Sequence, residues 1–218
     1  METKEETKEK LYSNTDLRKL ILPLVIEQLL AVLVGMLDTV MISGEGEAAV
    51  SGVSLVDNIN ILVINIFAAL ATGGAVVAGH ALGQKKPDQA GKAAWQMVLF
   101  MIYSSFVTMM ILLLAHKTIL RLTFGQVDDA VMNSATVYLL ITGLSICPLA
   151  IYNACAALFR AMGNSKTTML ISLLMNVINF VGNAVLIFGA GLGVAGAAIA
   201  TTLSRTVAAV LIFRLMHD

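Results

Sequence analysis

Charge is scarce in this chain. Asp, Glu, Lys and Arg make up 13% of the 218 residues, about half the roughly 25% of a soluble domain, which excludes an ordinary water-soluble globule. The charge present cancels, 14 basic against 14 acidic residues, so there is no global field to attract a polyanion and no nucleic-acid partner is expected. Cysteine is limited to Cys147 and Cys155, eight apart in one apolar run, where they read as small buried hydrophobes without metal-ligand spacing. The histidines, His80, His116 and His217, stand singly at predicted helix ends. HExxH, GxSxG and P-loop motifs are missing, so neither enzymatic activity nor an organic cofactor is expected. Gly191, Gly193 and Gly196 satisfy GxGxxG, but that fingerprint requires a preceding strand and an acid about 20 residues on. Here apolar helices flank it, and it reads as a tight hairpin.

What the chain has in abundance is long runs without Lys or Arg. A membrane-spanning helix needs about 20 mostly apolar residues. The run from Leu20 to Gln84 is too long for one span, and the segment SGEGEAAVSG (Ser43–Gly52) divides it. Ala93–His116 carries no formal charge, Ala130–Phe159 makes another span with Pro148 as a point of bending, and Thr167–Ser204 is divided by GAGLGVAG. The expectation is an all-α membrane protein of six transmembrane helices, about 17–42, 51–82, 93–116, 130–159, 167–188 and 195–216. Residues 1–16, METKEETKEKLYSNTD, lack a signal-peptide core and read as a polar leader retained on the protein.

Lys and Arg beside the spans set orientation. With the N-terminus cytoplasmic, the inner side receives Lys4, Lys8, Lys10, Arg18, Lys19, Lys85, Lys86, Lys92, Arg160, Lys166 and Arg214, while the outer side receives Lys117 and Arg121. Both termini are therefore expected inside. Arg205 lies within the sixth span.

Polar side chains inside a span cost free energy and need a reason. Glu27 and Asp38 are 11 residues apart, 20° beyond three full turns at 100° per residue, so they share one face with Pro23 and Val34. That stripe faces protein or water; alternatively Glu27 snorkels to the interface and Asp38 is a helix-end acid. Ser172, Asn176, Asn179 and Asn183 draw one polar line along the fifth span. Interhelical hydrogen bonding is preferred for Ser172 and Asn176. For Asn179 and Asn183 two readings stand level: the same bonding, or amide oxygens offered to a cation or proton relay beside Asp38. Asp57, Asn58 and Asn65 on the second span and Tyr138 and Thr142 on the fourth add polar faces, and these five are the candidate lining of a wet substrate cavity.

Four passages in order resemble the multidrug and toxic compound extrusion (MATE) family of the MOP superfamily. They are Pro23 with LDTVMISGEGEAAVSGVSL, GGAVVAGHALGQKKPDQAGKAAWQ, LFRAMGNSKTTM, and NVINFVGNAVLIFGAGLGVAGAAIATTLSR. The resemblance implies an H⁺- or Na⁺-coupled antiporter that exports organic, drug-like compounds across the bacterial plasma membrane. It also implies a cation site of Asp38, Asn179, Asn183 and Thr201, no cofactor beyond the coupling ion, and no role for Glu27. Members often have Asp where this chain has Asn183, so the site here holds one carboxylate. Only the first six-helix lobe of a twelve-helix protein is matched, which implies a fragment or a partial transporter completed by a second lobe, either a separate chain or a second copy. The rival readings are a lipid-linked oligosaccharide flippase, disfavoured because Arg205 is the only deep basic residue, and a non-transporting membrane scaffold.

Overall fold

The computed structural model describes residues 14–217, and the leader read over positions 1–16 falls largely outside them. The described chain is helical without strands: α1 (Asn14–Ser43), α2 (Glu47–Gly83), α3 (Pro87–Phe124), α4 (Asp129–Gly143), α5 (Ile146–Ala161), α6 (Ser165–Asn183) and α7 (Gly193–His217). Five stretches are long and apolar enough to cross a membrane alone, and α4 with α5 forms a bent pair that makes the sixth. The helices outrun the charge-free runs that located them. α3 has 38 residues, about 57 Å at 1.5 Å per residue, against a hydrocarbon core of about 30 Å. Helix formation does not require apolarity, so Lys92, Lys117 and Arg121 simply ride on its end turns.

The span expected over 130–159 is two helices meeting at 51°, and the break falls at Leu144–Ser145, before Pro148. Proline is the cause at a distance: it brings no N–H to the Leu144 carbonyl one turn back, and its ring presses on that carbonyl. The freed backbone finds new partners, as lipid demands. Ser145 donates its N–H (2.9 Å) and its hydroxyl (2.6 Å) to Thr142 O, and Thr202 of α7 donates to Ile141 O at 3.0 Å. α6 likewise does not end where its α-helical bonds do; a π turn, Ala184–Gly189, carries it on immediately after Asn183.

Small side chains set how closely these helices pack, since lipid supplies no hydrophobic force between them. Alanines fill the contacts among α2, α3 and α5 (Ala71, Ala75, Ala150, Ala154) and among α5, α6 and α7 (Ala156, Ala208, Ala209). Gly52 of α2 lies against the α4 backbone, where an added Cβ would come within 2.8 Å of Val131 O and of Ala135 N. α1 is the exception. It packs chiefly on α6, and Leu22, Leu29, Met36 and Val40 are all more than half exposed. The turn joining α1 to α2 meets the turn before α7, Glu45 lying beside Gly193. The ends of α2 and α5 meet at the opposite end of the bundle, Gly79 facing Ala161.

Candidate functional site

The inward stripe of α1 is the starting point. Around it Val25, Leu29, Leu33 and Leu37 are exposed, whereas Glu27 is buried and Asp38 half-buried, so both acids turn toward the bundle. Each meets a different set of partners, and these two polar clusters, three turns apart, tie an otherwise loosely packed helix to the lobe.

At Asp38, Asn183 donates from Nδ2 to Oδ1 at 2.6 Å. Asn179 stands between the carboxylate and Thr201, its amide 3.1 Å from Thr201 Oγ1. Turned with its nitrogen to Asp38, Asn179 donates to both carboxylate oxygens at 3.0 and 3.1 Å and accepts from Thr201. Turned the other way, it sets an amide oxygen against carboxylate oxygens, a repulsive arrangement unless a cation or proton lies between them. Asn183 Oδ1 is buried without a hydrogen-bond partner, an orphan acceptor in the same cluster. Asn179, Asn183 and Thr201 are 6%, 1% and 9% exposed. Helices α1, α6 and α7 thus converge one carboxylate, two amides and a hydroxyl, all oxygen donors suited to a hard monovalent cation.

Asp38, Asn179 and Thr201 of this cluster form one wall of a cavity of about 370 Å³, whose lining also includes Asp57, Asn60, Tyr138, Asn176 and Arg205, with Asn183 buried behind them. Two of the five residues expected to line a cavity, Asp57 and Tyr138, are there. Asn58 and Asn65 are not: both are exposed on another side of α2, and Asn58 donates back to Ser54 O at 2.9 Å. The buried face of α2 runs through Val53, Val56, Asn60 and Phe67, so Asp57 and Asn60 look inward while position 58, a further 100° around from 57, looks out. Thr142 is fully buried, its hydroxyl returned to Tyr138 O at 2.7 Å, where it serves the helix backbone and no cavity. The interhelical bonding expected for Asn176 is also corrected: its Nδ2 is buried without a partner and the residue lines the cavity.

Arg205 donates to Ser145 Oγ at 2.8 Å, so the break between α4 and α5 places this deep cation. Sequence spacing could not reveal that Asn60, Ser204 and Arg205 line the same cavity as Asp38, because their helices meet only in the folded lobe. The sole available signal was the cost of an arginine within a span.

Glu27 makes the second cluster. Tyr152 of α5 donates to Oε1 at 3.3 Å, Thr168 Oγ1 of α6 lies 3.4 Å from Oε2, and Arg160 NH1 is 3.7 Å from Oε1. The inward reading of Glu27 holds and the snorkelling one does not. Arg160 is 30% exposed and Glu27 12%, so the pair is partly buried, and Tyr152 is the buried hydroxyl whose proton Glu27 accepts. Glu27→Leu is expected to lower unfolding stability by about 1–3 kcal/mol, because Tyr152 O–H loses its acceptor in a buried position. Glu27→Gln, which keeps an acceptor oxygen, should cost less than half as much; equal losses from the two variants in a denaturant titration would contradict this account.

Six membrane crossings enclosing a cavity with an acid, amides and a hydroxyl on its wall define a polytopic helical membrane lobe with a polar interior. The chain belongs to the MatE family, whose model matches residues 23–185. It is 30% identical over 189 residues to the uncharacterized transporter YisQ of Bacillus subtilis, covering 85% of this chain and 41% of that protein. It is 29% identical over 198 residues to the probable multidrug resistance protein NorM of Thermotoga maritima, covering 89% and 42%. In fold it matches a solved MOP superfamily transporter from Pyrococcus furiosus with a TM-score of 0.86 at 21% identity, over 92% of this chain and 44% of that one. The chain therefore spans less than half the length of these relatives, consistent with a single lobe.

Proposed function

We propose that this chain is the cation-binding lobe of a two-lobed exporter of organic, drug-like compounds, driven by exchange for Na⁺ or H⁺. The observation that carries the reading is the convergence of Asp38, Asn179, Asn183 and Thr201, with Asn183 Oδ1 left unpartnered. A cation among these oxygens offsets the one buried carboxylate and gives the orphan acceptor a partner. Because α1 supplies Asp38 and is otherwise loosely attached, occupancy would change how firmly α1 holds to α6 and so reshape the cavity they share. The names of the NorM relatives support the class of substrate. Alternating access needs one repeat to move against another, so a second lobe, as a separate chain or a second copy, would complete the transporter. The exposed apolar face of α1 and the exposed polar side of α2 at Asn58 and Asn65 would then meet that lobe or the central cavity. By the distribution of Lys and Arg, the lobe would lie in the bacterial plasma membrane with both termini cytoplasmic.

The test is thermal unfolding of the detergent-solubilised chain at constant ionic strength, exchanging K⁺ for Na⁺ and, separately, varying pH. A ligand bound only by the folded state stabilises it by about 2.7 kcal/mol at a hundred times its dissociation constant. A rise with Na⁺ over K⁺ assigns Na⁺, and a pH-dependent rise without a Na⁺ effect assigns H⁺. Indifference to both would overturn the cation site.

A further inference from the structure

A second cavity, of about 410 Å³, opens at the end of the bundle where α1 begins and α5 turns into α6. Its lining is divided in kind. Arg18 and Lys19 of α1 and Lys166 of α6 supply cations; Leu22 and Pro23 of α1 and Met169 of α6 supply an apolar wall. None of the described lining residues is acidic. Further along α1, the carboxylate of Glu27 is already engaged by Tyr152, Thr168 and Arg160.

We infer that this cavity is a binding site for the headgroup and upper acyl chain of an anionic phospholipid. Three cations drawn from two helices into one cavity repel each other, and an anion between them relieves that repulsion. The order of residues decides between a lipid and a free anion. Both helices start at this end of the bundle, and on each the cations come first and the apolar residues follow: Arg18 and Lys19 before Leu22 and Pro23, Lys166 before Met169. At 1.5 Å per residue, Lys19 to Pro23 descends about 6 Å and Lys166 to Met169 about 4.5 Å. Charge outside and hydrocarbon below is the order of a phospholipid at the interface; a free phosphate has no use for the apolar part. Basic pockets between helices on one side of a membrane protein bind anionic headgroups in this way. The turn between the helices is tight, Gly163 holding a positive φ of 79° and Asn164 capping α6 by accepting from Thr167 N–H. A lipid seated here would bridge α1 and α6 beyond Glu27, adding a third attachment to the loosest helix.

Native mass spectrometry of the full chain in neutral detergent, titrated with phosphatidylglycerol and phosphatidylcholine of matched chains, tests this. Phosphatidylglycerol is expected to bind at least about tenfold more tightly, each cation being worth roughly fivefold. Lys166→Gln alone, at an exposed position, should weaken it about fivefold, and the triple change R18Q/K19Q/K166Q should abolish the preference. The control K85Q/K86Q/K92Q removes as much charge from the turn between α2 and α3 and should leave it intact. Equal binding of the two lipids, an equal loss in the control, or displacement of phosphatidylglycerol by millimolar inorganic phosphate would each overturn the assignment.

Discussion

A valine at position 52 is expected to separate α4 from α2 and to cost about 3 kcal/mol or more in unfolding stability, the upper range for overpacking. The expectation rests on what surrounds Gly52. A Cβ there would lie 2.8 Å from Val131 O, 2.8 Å from Ala135 N and 2.7 Å from Ser134 Cβ. Two of these are backbone atoms of α4, which cannot rotate away as a side chain would, so the whole helix must shift. α4 carries Tyr138 into the cavity beside Asp57 and Arg205, and its end accepts Thr202 from α7, so the displacement should reach the site. Gly74→Ala is the comparison: the added carbon meets only side-chain atoms of Met97, whose rotatable bonds let it yield more readily than a helix backbone can. Denaturant unfolding followed by circular dichroism should separate the two, and a Gly52→Val protein as stable as Gly74→Ala would show that the α2–α4 contact is not tight.

The second large effect concerns Asp38. Asp38→Asn is expected to remove the cation-dependent stabilisation altogether while leaving the fold in place. The substitution keeps the size of the side chain and an acceptor for the Asn183 amide, which donates to Oδ1 at 2.6 Å, so little packing is lost. Hydrogen bonds between membrane helices are worth only about 0.6 kcal/mol on average, so the apo protein should unfold within about 1 kcal/mol of the parent. The charge that would hold a cation is gone, and with it the roughly 2.7 kcal/mol expected at a hundred times the dissociation constant. The difference appears as an unfolding temperature that rises with Na⁺, or as the pH falls, in the parent and loses that Asp38-dependent response in the variant. An unchanged cation response in Asp38→Asn would remove the carboxylate from the site and leave Asn179 and Asn183 as helix-packing amides.

The two results also bear on how much the sequence discloses. Paired acids 11 residues apart on α1 and amides at i, i+3 and i+7 on α6 are readable as stripes because helical periodicity is local. That they point at one another is not local. Asn179 and Asp38 are 141 positions apart, and only the seating of α1 on α6 brings them together. Asn58 and Asn65 show the opposite case. Their spacing is as regular as that on α6, yet the face they define is exposed, because Val53, Val56 and Phe67 claim the buried side of α2. A polar stripe tells which residues share a face, but which face turns inward depends on what packs against it.

The sequence by itself determined that this is a helical membrane protein of six crossings, since the absence of charge over some 20 residues and the need to satisfy every backbone polar group in lipid leave no other structure. It also placed the turns between the spans, though not the break within the fourth, and it disclosed the family. Only the tertiary structure decided that Glu27 is buried against Tyr152 and Thr168, that α4 and α5 break at Ser145 where Arg205 docks, and that Asp57 and Asn60 line the cavity while Asn58 does not. Those outcomes depend on contacts between residues far apart in the chain, where close approach at small residues fixes each helix's rotation about its own axis, and no periodicity within a single helix encodes that rotation.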